Sequence, residues 1–212
     1  MKTEDLIASL VADQSQPQQP PQRALLAILP IGLVAAIIIF TYALDVRPDF
    51  PAAIKEWHYF SKLTFSAVIA LVGLTFLLRI ARPEISTRQA PLWLLFALAP
   101  LFIALLAEVS TLPRDEWWRY AVGEKALYCL GLVPLISTAP LVALLLVLRR
   151  GAPQNPALAG AVAGFAAGGL GAFVYCFHCN NDSPFYVAIW YVGAIAIVTT
   201  VGAVAGRQIL RW

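Results

Sequence analysis

Residues 174–186 read VYCFHCNNDSPFY, so two of the chain's three cysteines and one of its two histidines fall within four positions. The third thiol, Cys129, stands in ALYCLGLVP. Thiols and an imidazole this close admit four readings. Cysteine packs well as a small buried hydrophobe. Thiolate and imidazole are soft-metal donors, so Cys129, Cys176, Cys179 and His178 could together hold a zinc-, copper- or cadmium-like ion. On a helix Cys176 and Cys179 share a face, whereas His178 is turned about 100° from Cys179, so a four-ligand site requires the helix to end there. Two thiols can also close a reversible disulfide, given access and thiolate character. Finally, Cys-x-x-Cys is the spacing of thiol oxidoreductases, here without the strand–helix context that such enzymes carry. Which chemistry is open depends on the elements that hold these residues, and on which side of a barrier they sit.

The barrier is written in the composition. Of 212 residues, 60% are hydrophobic and 13% charged, with a mean hydropathy of +0.75. Soluble domains carry about 45–50% apolar and about 25% charged residues. So few charges cannot cover a water-exposed surface, and the chain reads as a membrane protein. Six apolar runs approach the roughly 20 residues that cross a bilayer: 24–44, 63–78, 91–107, 126–148, 157–177 and 185–206. The expected fold is therefore all-α, an integral membrane bundle of six transmembrane helices with the lipid bilayer as its surroundings. The spans are nearly bare of charge. Lys62 and Glu108 fall at outer span ends, where a long side chain is expected to reach water. An ion-coupled transporter would need more than this. A net charge of +3 gives no reason to expect nucleic acid as a direct partner.

Lysine and arginine placement sets the orientation. Lys2, Arg23, Arg79, Arg82, Arg88, Arg149, Arg150, Arg207 and Arg211 lie on one side, and Arg47, Lys55, Lys62, Arg114, Arg119 and Lys125 on the other. The richer side is cytoplasmic, which places both termini there. Trp57, Tyr59, Trp117, Trp118 and Tyr120 then form an interfacial aromatic belt at the outer border. Cys176 and Cys179 fall at the outer end of the fifth span and Cys129 in the first turn of the fourth. Two antiparallel spans joined by a short loop would bring Cys129 toward Cys179 or Cys176 on the oxidising side. Gly160, Gly164 and Gly168 make a small-residue ridge for close helix packing, either within the bundle or in a homo-oligomer.

Residues 1–13 form a unit of their own, expected to be a cytoplasmic amphipathic helix. Thr3 can cap it, and Leu6, Ile7, Leu10 and Val11 recur at helical spacing as one apolar stripe. Residues 14–23, rich in Gln and Pro, form an extended polar linker to the transmembrane domain, 24–212. The polar face of the helix is not basic, which favours docking into a soluble partner's groove over lying on lipid.

Taken together, MKTEDLIASLVAD, YCLGLVPL, LRRGAPQNPALAGAVAGFAAGGLGA and FHCNNDSPFYVAIWY resemble the NrsF-type family of bacterial integral-membrane anti-sigma factors (negative regulator of sigma F). The resemblance covers essentially the whole chain. It implies a non-enzymatic regulator in the bacterial inner (cytoplasmic) membrane that binds an extracytoplasmic-function sigma factor and withholds it from RNA polymerase. Leu6, Ile7, Leu10 and Val11 would form the sigma-binding stripe. Cys129 and Cys179 would correspond to the family's paired cysteines, which the resemblance implies are the sensing elements for heavy metal or oxidant and the metal ligands. Cys176 is an addition to that pattern, and His178 stands beside it. No obligatory cofactor is implied, only a transient heavy-metal ion. The alternative reading is a membrane thiol oxidoreductase that passes electrons between Cys176/Cys179 and a quinone. It would require a second exchanging pair, and only Cys129 is left to supply one.

Overall fold

The computed structural model describes residue 3 and residues 21–81, 90–123, 126–151 and 153–210. The stripe Leu6, Ile7, Leu10 and Val11 lies outside the described residues, as does most of the 14–23 linker. All regular structure among the described residues is helical: α1 (Pro21–Ala43), α2 (Phe50–Ala53), α3 (Trp57–Ile80), α4 (Ala90–Thr111), α5 (Trp117–Val122), α6 (Ala126–Leu148), α7 (Pro156–Tyr175) and α8, which runs from Pro184 to Ile209. Six of these, α1, α3, α4, α6, α7 and α8, are long and apolar enough to cross a membrane. Helices suit that setting because they satisfy every backbone group internally. Pro30, Pro100, Pro134 and Pro140 all stay inside their helices.

Several boundaries differ from the hydropathy reading, among them two helix starts and the end of α4 at Thr111. α1 begins at Pro21, and α3 begins at Trp57, six residues before its apolar run. The first turns of α3 carry His58, Ser61 and Lys62, which hydropathy discounts although their backbone is helical. α7 opens on a regular cap: Pro156 sits in its first turn, and the Asn155 side chain accepts the Leu158 amide at 3.0 Å. α8 contains one π-helical turn, Val187–Tyr191, of the kind often found where a helix re-aims side chains.

α7 is the centre of the bundle. It packs against α8, α3 and α6, while α1 leans on α6 and α4 leans on α3. Glycine sets this arrangement. Gly160 faces Gly202 and Gly206, Gly164 faces Val198 and Thr199, and a Cβ on Gly168 would come 3.2 Å from the Ile195 backbone. The ridge is thus a seam between α7 and α8 within one chain, matched by small residues on both sides. On its other flank α7 meets α3, where a Cβ on Gly73 would fall 2.7 Å from Ala166 and one on Gly169 2.6 Å from the Ala70 amide. Ala24, Ile80, Leu148, Ala159 and Leu210 gather in one buried cluster, so both ends of the main described segment lie at the same end of the bundle. Cys129, Cys176, Cys179 and Tyr186 belong to a second cluster at the opposite end, called outer below.

Two expectations about that end are corrected. Lys62 and Glu108 do not reach water: they are 1% and 4% exposed. Lys62 is instead satisfied inside the protein, and Glu108 receives His58 Nε2 at 2.9 Å, tying α4 to α3. Tyr59 is not a belt residue either. It is buried under two cations, while Trp57, Trp118 and Tyr120 are exposed at the same border.

Candidate functional site

The site is built where α7 runs out. Asn180, Asn181, Asp182 and Ser183 all compete with the backbone for hydrogen bonds, and Pro184 has no amide to offer. The chain winds one last turn, with the His178 and Cys179 amides bonded to the Tyr175 carbonyl at 3.0 and 3.1 Å, and then leaves the helix. That leaves carbonyls of the loop needing donors near the membrane border. Two buried cations supply them. Lys62 Nζ donates to the Cys179 carbonyl at 2.8 Å and to the Asn181 carbonyl at 3.3 Å. Arg47 Nη1 donates to the same Cys179 carbonyl at 3.1 Å, and the Arg47 amide donates to Phe177 O at 2.9 Å.

Charge balance comes from Asp182, turned inward from the same loop. Its carboxylate accepts Arg47 Nη1 at 2.9 and 3.0 Å and makes an ion pair with Lys62. Arg47 also grips Asp49 through Nε and Nη2 at 2.8 and 2.7 Å, which holds the exposed Asp49 carboxyl below its ordinary range. The Arg47 and Lys62 side chains are 3% and 0% exposed and Asp182 is 15% exposed. The Tyr59 ring lies 5.6 Å from the Arg47 guanidinium and 5.7 Å from Lys62 Nζ, and the Tyr191 ring lies 5.8 Å from Lys62 Nζ. Three segments distant in sequence are thereby fastened by one carboxylate: the α1–α2 loop, α3 and the α7–α8 loop.

All three cysteines are free and buried. Cys129, at the head of α6, has its sulfur 2.9 Å from the Tyr186 hydroxyl of α8. It also lies beside Cys179, so that the Cys129 thiol stabilises a Cys179 thiolate by hydrogen bonding. That contact, opposed by burial and reinforced by the Lys62 ammonium, lowers Cys179 from the ordinary 9.0 to about 6. A thiol so placed is a ready nucleophile and metal donor. Cys176 has different company. It donates to Ala172 O at 3.2 Å and sits 3.7 Å from the Ser66 hydroxyl, and burial pushes it up to about 11. His178 turns away, its Nδ1 2.7 Å from the Asp45 carbonyl. The structure therefore brings Cys129 and Cys179 together and leaves Cys176 and His178 out of that pair. The four-ligand arrangement is not assembled: among the described residues no group of three or more His, Cys, Asp or Glu side chains is placed to hold a metal ion. Two adjacent thiols, one thiolate-prone, suit a soft ion or an oxidant.

Access is provided by a cavity of about 220 Å³ lined by Asp45, Arg47, Tyr175, His178, Cys179 and Tyr186. A larger one, about 640 Å³, adjoins it under Trp118, Arg119 and Tyr120. Between them Gly123 turns the chain at φ 59°, against Asn181 and Tyr186. Trp190 Nε1 donates to Ala121 O at 2.8 Å and holds α5 to α8. Sequence reasoning missed Arg47, Lys62, Asp182 and Tyr186 as members of the site. The available signal was an acid inside the NNDSP loop at the same end as Lys62, the lysine immediately before the second apolar run.

The fold and this site define an all-helical protein with six helices long and apolar enough to cross a membrane and a buried thiol pair locked at one end by an ionic cluster. Residues 10–212 match the family model described as negative regulator of sigma F, and the chain belongs to that family, NrsF. It is 32% identical to the probable anti-sigma-F factor NrsF of Azospira oryzae and 31% identical to the anti-sigma-F factor NrsF of Caulobacter vibrioides, each alignment covering the whole of both chains. No solved structure matches. The family is regulatory rather than enzymatic, which removes the thiol oxidoreductase from consideration.

Proposed function

We propose that this protein holds an extracytoplasmic-function sigma factor at the inner face of the bacterial cytoplasmic membrane and releases it when Cys129 and Cys179 capture a heavy-metal ion or are oxidised. The observation that carries the reading is the adjacency of these two thiols, from separate helical segments, with Cys179 poised as a thiolate beside Lys62. Metal capture displaces the remaining thiol proton and places two sulfur lone pairs on the ion. Oxidation breaks the Cys129 S–H bond, forms an S–S bond with the Cys179 thiolate, and passes two electrons to an oxidant such as diamide, which takes up that proton and one from water to become the hydrazine. Either event changes the spacing between the head of α6 and the Cys179 loop. That loop cannot move alone, because Arg47 and Lys62 hold its backbone. The change is thus passed to whole helices, as a switch requires. The grip on sigma is assigned to Leu6, Ile7, Leu10 and Val11 in the 1–13 helix, by apolar docking into a groove.

Co-purification tests this reading. The full chain, expressed with the sigma factor encoded beside it, should retain that factor in reducing buffer and lose it after cadmium or diamide. Cys129→Ser and Cys179→Ser should retain it under both treatments, and Leu6→Asp with Leu10→Asp should lose it without treatment. A thiol variant that responds as strongly as wild type sinks the sensor assignment. Undiminished binding by the Leu6/Leu10 variant sinks the docking assignment.

A further inference from the structure

The opposite end of the bundle carries a charge that the thiol site does not explain. Arg79, near the end of α3, is exposed, and its guanidinium lies 4.8 Å from the centre of the Trp93 ring on α4. Among the described residues it has no carboxylate partner. Trp93 in turn stacks on Phe76, ring centres 6.1 Å apart. Both rings line an apolar cavity of about 180 Å³ whose other walls include Gly73, Leu158, Val162 and Phe165. The cavity exists because α4 packs mainly on α3 and meets α8 chiefly at its outer first turn, Pro184–Tyr186. Leu158 to Phe165 spans two helical turns, about 10 Å, so the slot runs from the bundle end into the hydrocarbon layer. Its one hydroxyl, that of Thr199, is already bonded to Ile195 O at 2.8 Å.

An apolar slot with an unmatched cation at its mouth is complementary to an amphiphile with an anionic head. We propose that it binds an anionic phospholipid such as phosphatidylglycerol, with one acyl chain between α4 and α7 and the phosphate on Arg79. A basic pocket between transmembrane helices is a recognised form of headgroup site. A zwitterionic lipid would fill the slot but bring an ammonium to the arginine. A second copy of the chain would cover the slot with an apolar helix and leave the charge unanswered. The site is independent of the thiol pair and lies beside the end from which the sigma-binding segment is proposed to act.

The test uses the full chain in phosphatidylcholine vesicles containing a small fraction of phosphatidylglycerol brominated on its acyl chains, or of brominated phosphatidylcholine. Bromine quenches tryptophan on contact, and the Trp93 component is the difference between wild type and Trp93→Phe. Brominated phosphatidylglycerol should quench that component about fivefold more effectively than brominated phosphatidylcholine, the weight of one arginine against an anionic head. Arg79→Gln should erase the preference and leave quenching by the chains, whereas Val162→Phe should reduce quenching by both lipids. Native mass spectrometry of the unaltered protein reads the same preference as retained phosphatidylglycerol over phosphatidylcholine. Equal quenching and equal retention of the two lipids would overturn the proposal. So would a Trp93 shielded from both lipids in a protein that cross-links as a dimer.

Discussion

Asp182→Asn is the substitution with the largest calculable effect on the outer end. It keeps the shape of the side chain and removes the carboxylate that two buried cations share. Arg47 would keep Asp49, but Lys62, fully buried, would be left with neutral acceptors and aromatic rings and no counter-charge. Breaking a buried ion pair from one side costs about 3–5 kcal/mol. With Asp182 still 15% exposed, the lower end of that range, about 3 kcal/mol, is the expected loss. Asp49→Asn provides the control: its carboxylate is half exposed, and a surface pair is worth about 0–1 kcal/mol. The double variant Lys62→Met with Asp182→Leu should recover most of the loss, because replacing both charges with apolar groups leaves nothing buried and unpaired. Thermal unfolding in detergent, followed with a bulky maleimide that fluoresces on reacting with thiols, reads Cys129 and Cys176, which are fully buried, whereas Cys179 borders the cavity that admits a small alkylating agent. If Asp182→Asn melts with Asp49→Asn, or the double variant melts no higher than the single one, the ionic cluster does not hold the loop.

Further outcomes follow from the same geometry. Alkylation of Cys179, read by mass spectrometry of its peptide, should rise through a midpoint near pH 6 and not near 9.0, and Cys129→Ala should move that midpoint upward. The sign is that of a lowered acid: the thiolate's contribution to stability is in place above 9.0 and lost as pH falls through about 6. A midpoint at the ordinary thiol value would refute the coupling. Tyr186→Phe removes the hydroxyl 2.9 Å from the Cys129 sulfur and should cost about 1 kcal/mol in the same unfolding assay while changing the labelling rate of Cys129. Gly164→Ala presses a methyl onto the α8 backbone at Val198 and Thr199 and should destabilise by about 1–3 kcal/mol. Gly131→Ala meets nothing within 4 Å and should be neutral or stabilising by up to about 1 kcal/mol. Equal effects at the two glycines would refute the assignment of the α7–α8 seam.

The parts of this molecule that were legible in the sequence are those set by local pattern. Runs of apolar residues locate six helices because hydrocarbon permits little else. Cys129 and Cys179 could be placed at one end from span order alone, although the choice between Cys176 and Cys179 as partner needed the extra turn after Tyr175. The Gly160/Gly164/Gly168 ridge was legible, but its partner was not. Reading Gly202 and Gly206 as the other half of one seam would have placed it inside the chain. Lys62 was misread for a physical reason. A lysine near a span end usually extends to water, and only the fold reveals an aspartate 120 positions away that makes burial tolerable. Tyr59 was misread with it, since an aromatic residue at the border looks the same whether it faces headgroups or caps a buried cation.

The helix contacts constrain how an event at the thiols can spread. α7 cannot slide against α8 or α3 without separating backbones that approach at Gly160, Gly164, Gly73 and Gly169, and glycine has no side chain to repack. Those three helices therefore move as a block. α6 is held differently. It carries Cys129 at its outer end, meets α7 at Ser137 against Gly171, and contains Pro134 and Pro140, each of which removes one backbone hydrogen bond. Under the proposed function, a change in the Cys129–Cys179 distance would be taken up by tilting α6, together with α1, which leans on it through Gly32 and Ala143. α1 is the helix that follows the linker from residues 1–13. In the proposed function the strain from the thiols reaches the sigma-binding segment along this route, with the glycine-packed block serving as the fixed part of the lever.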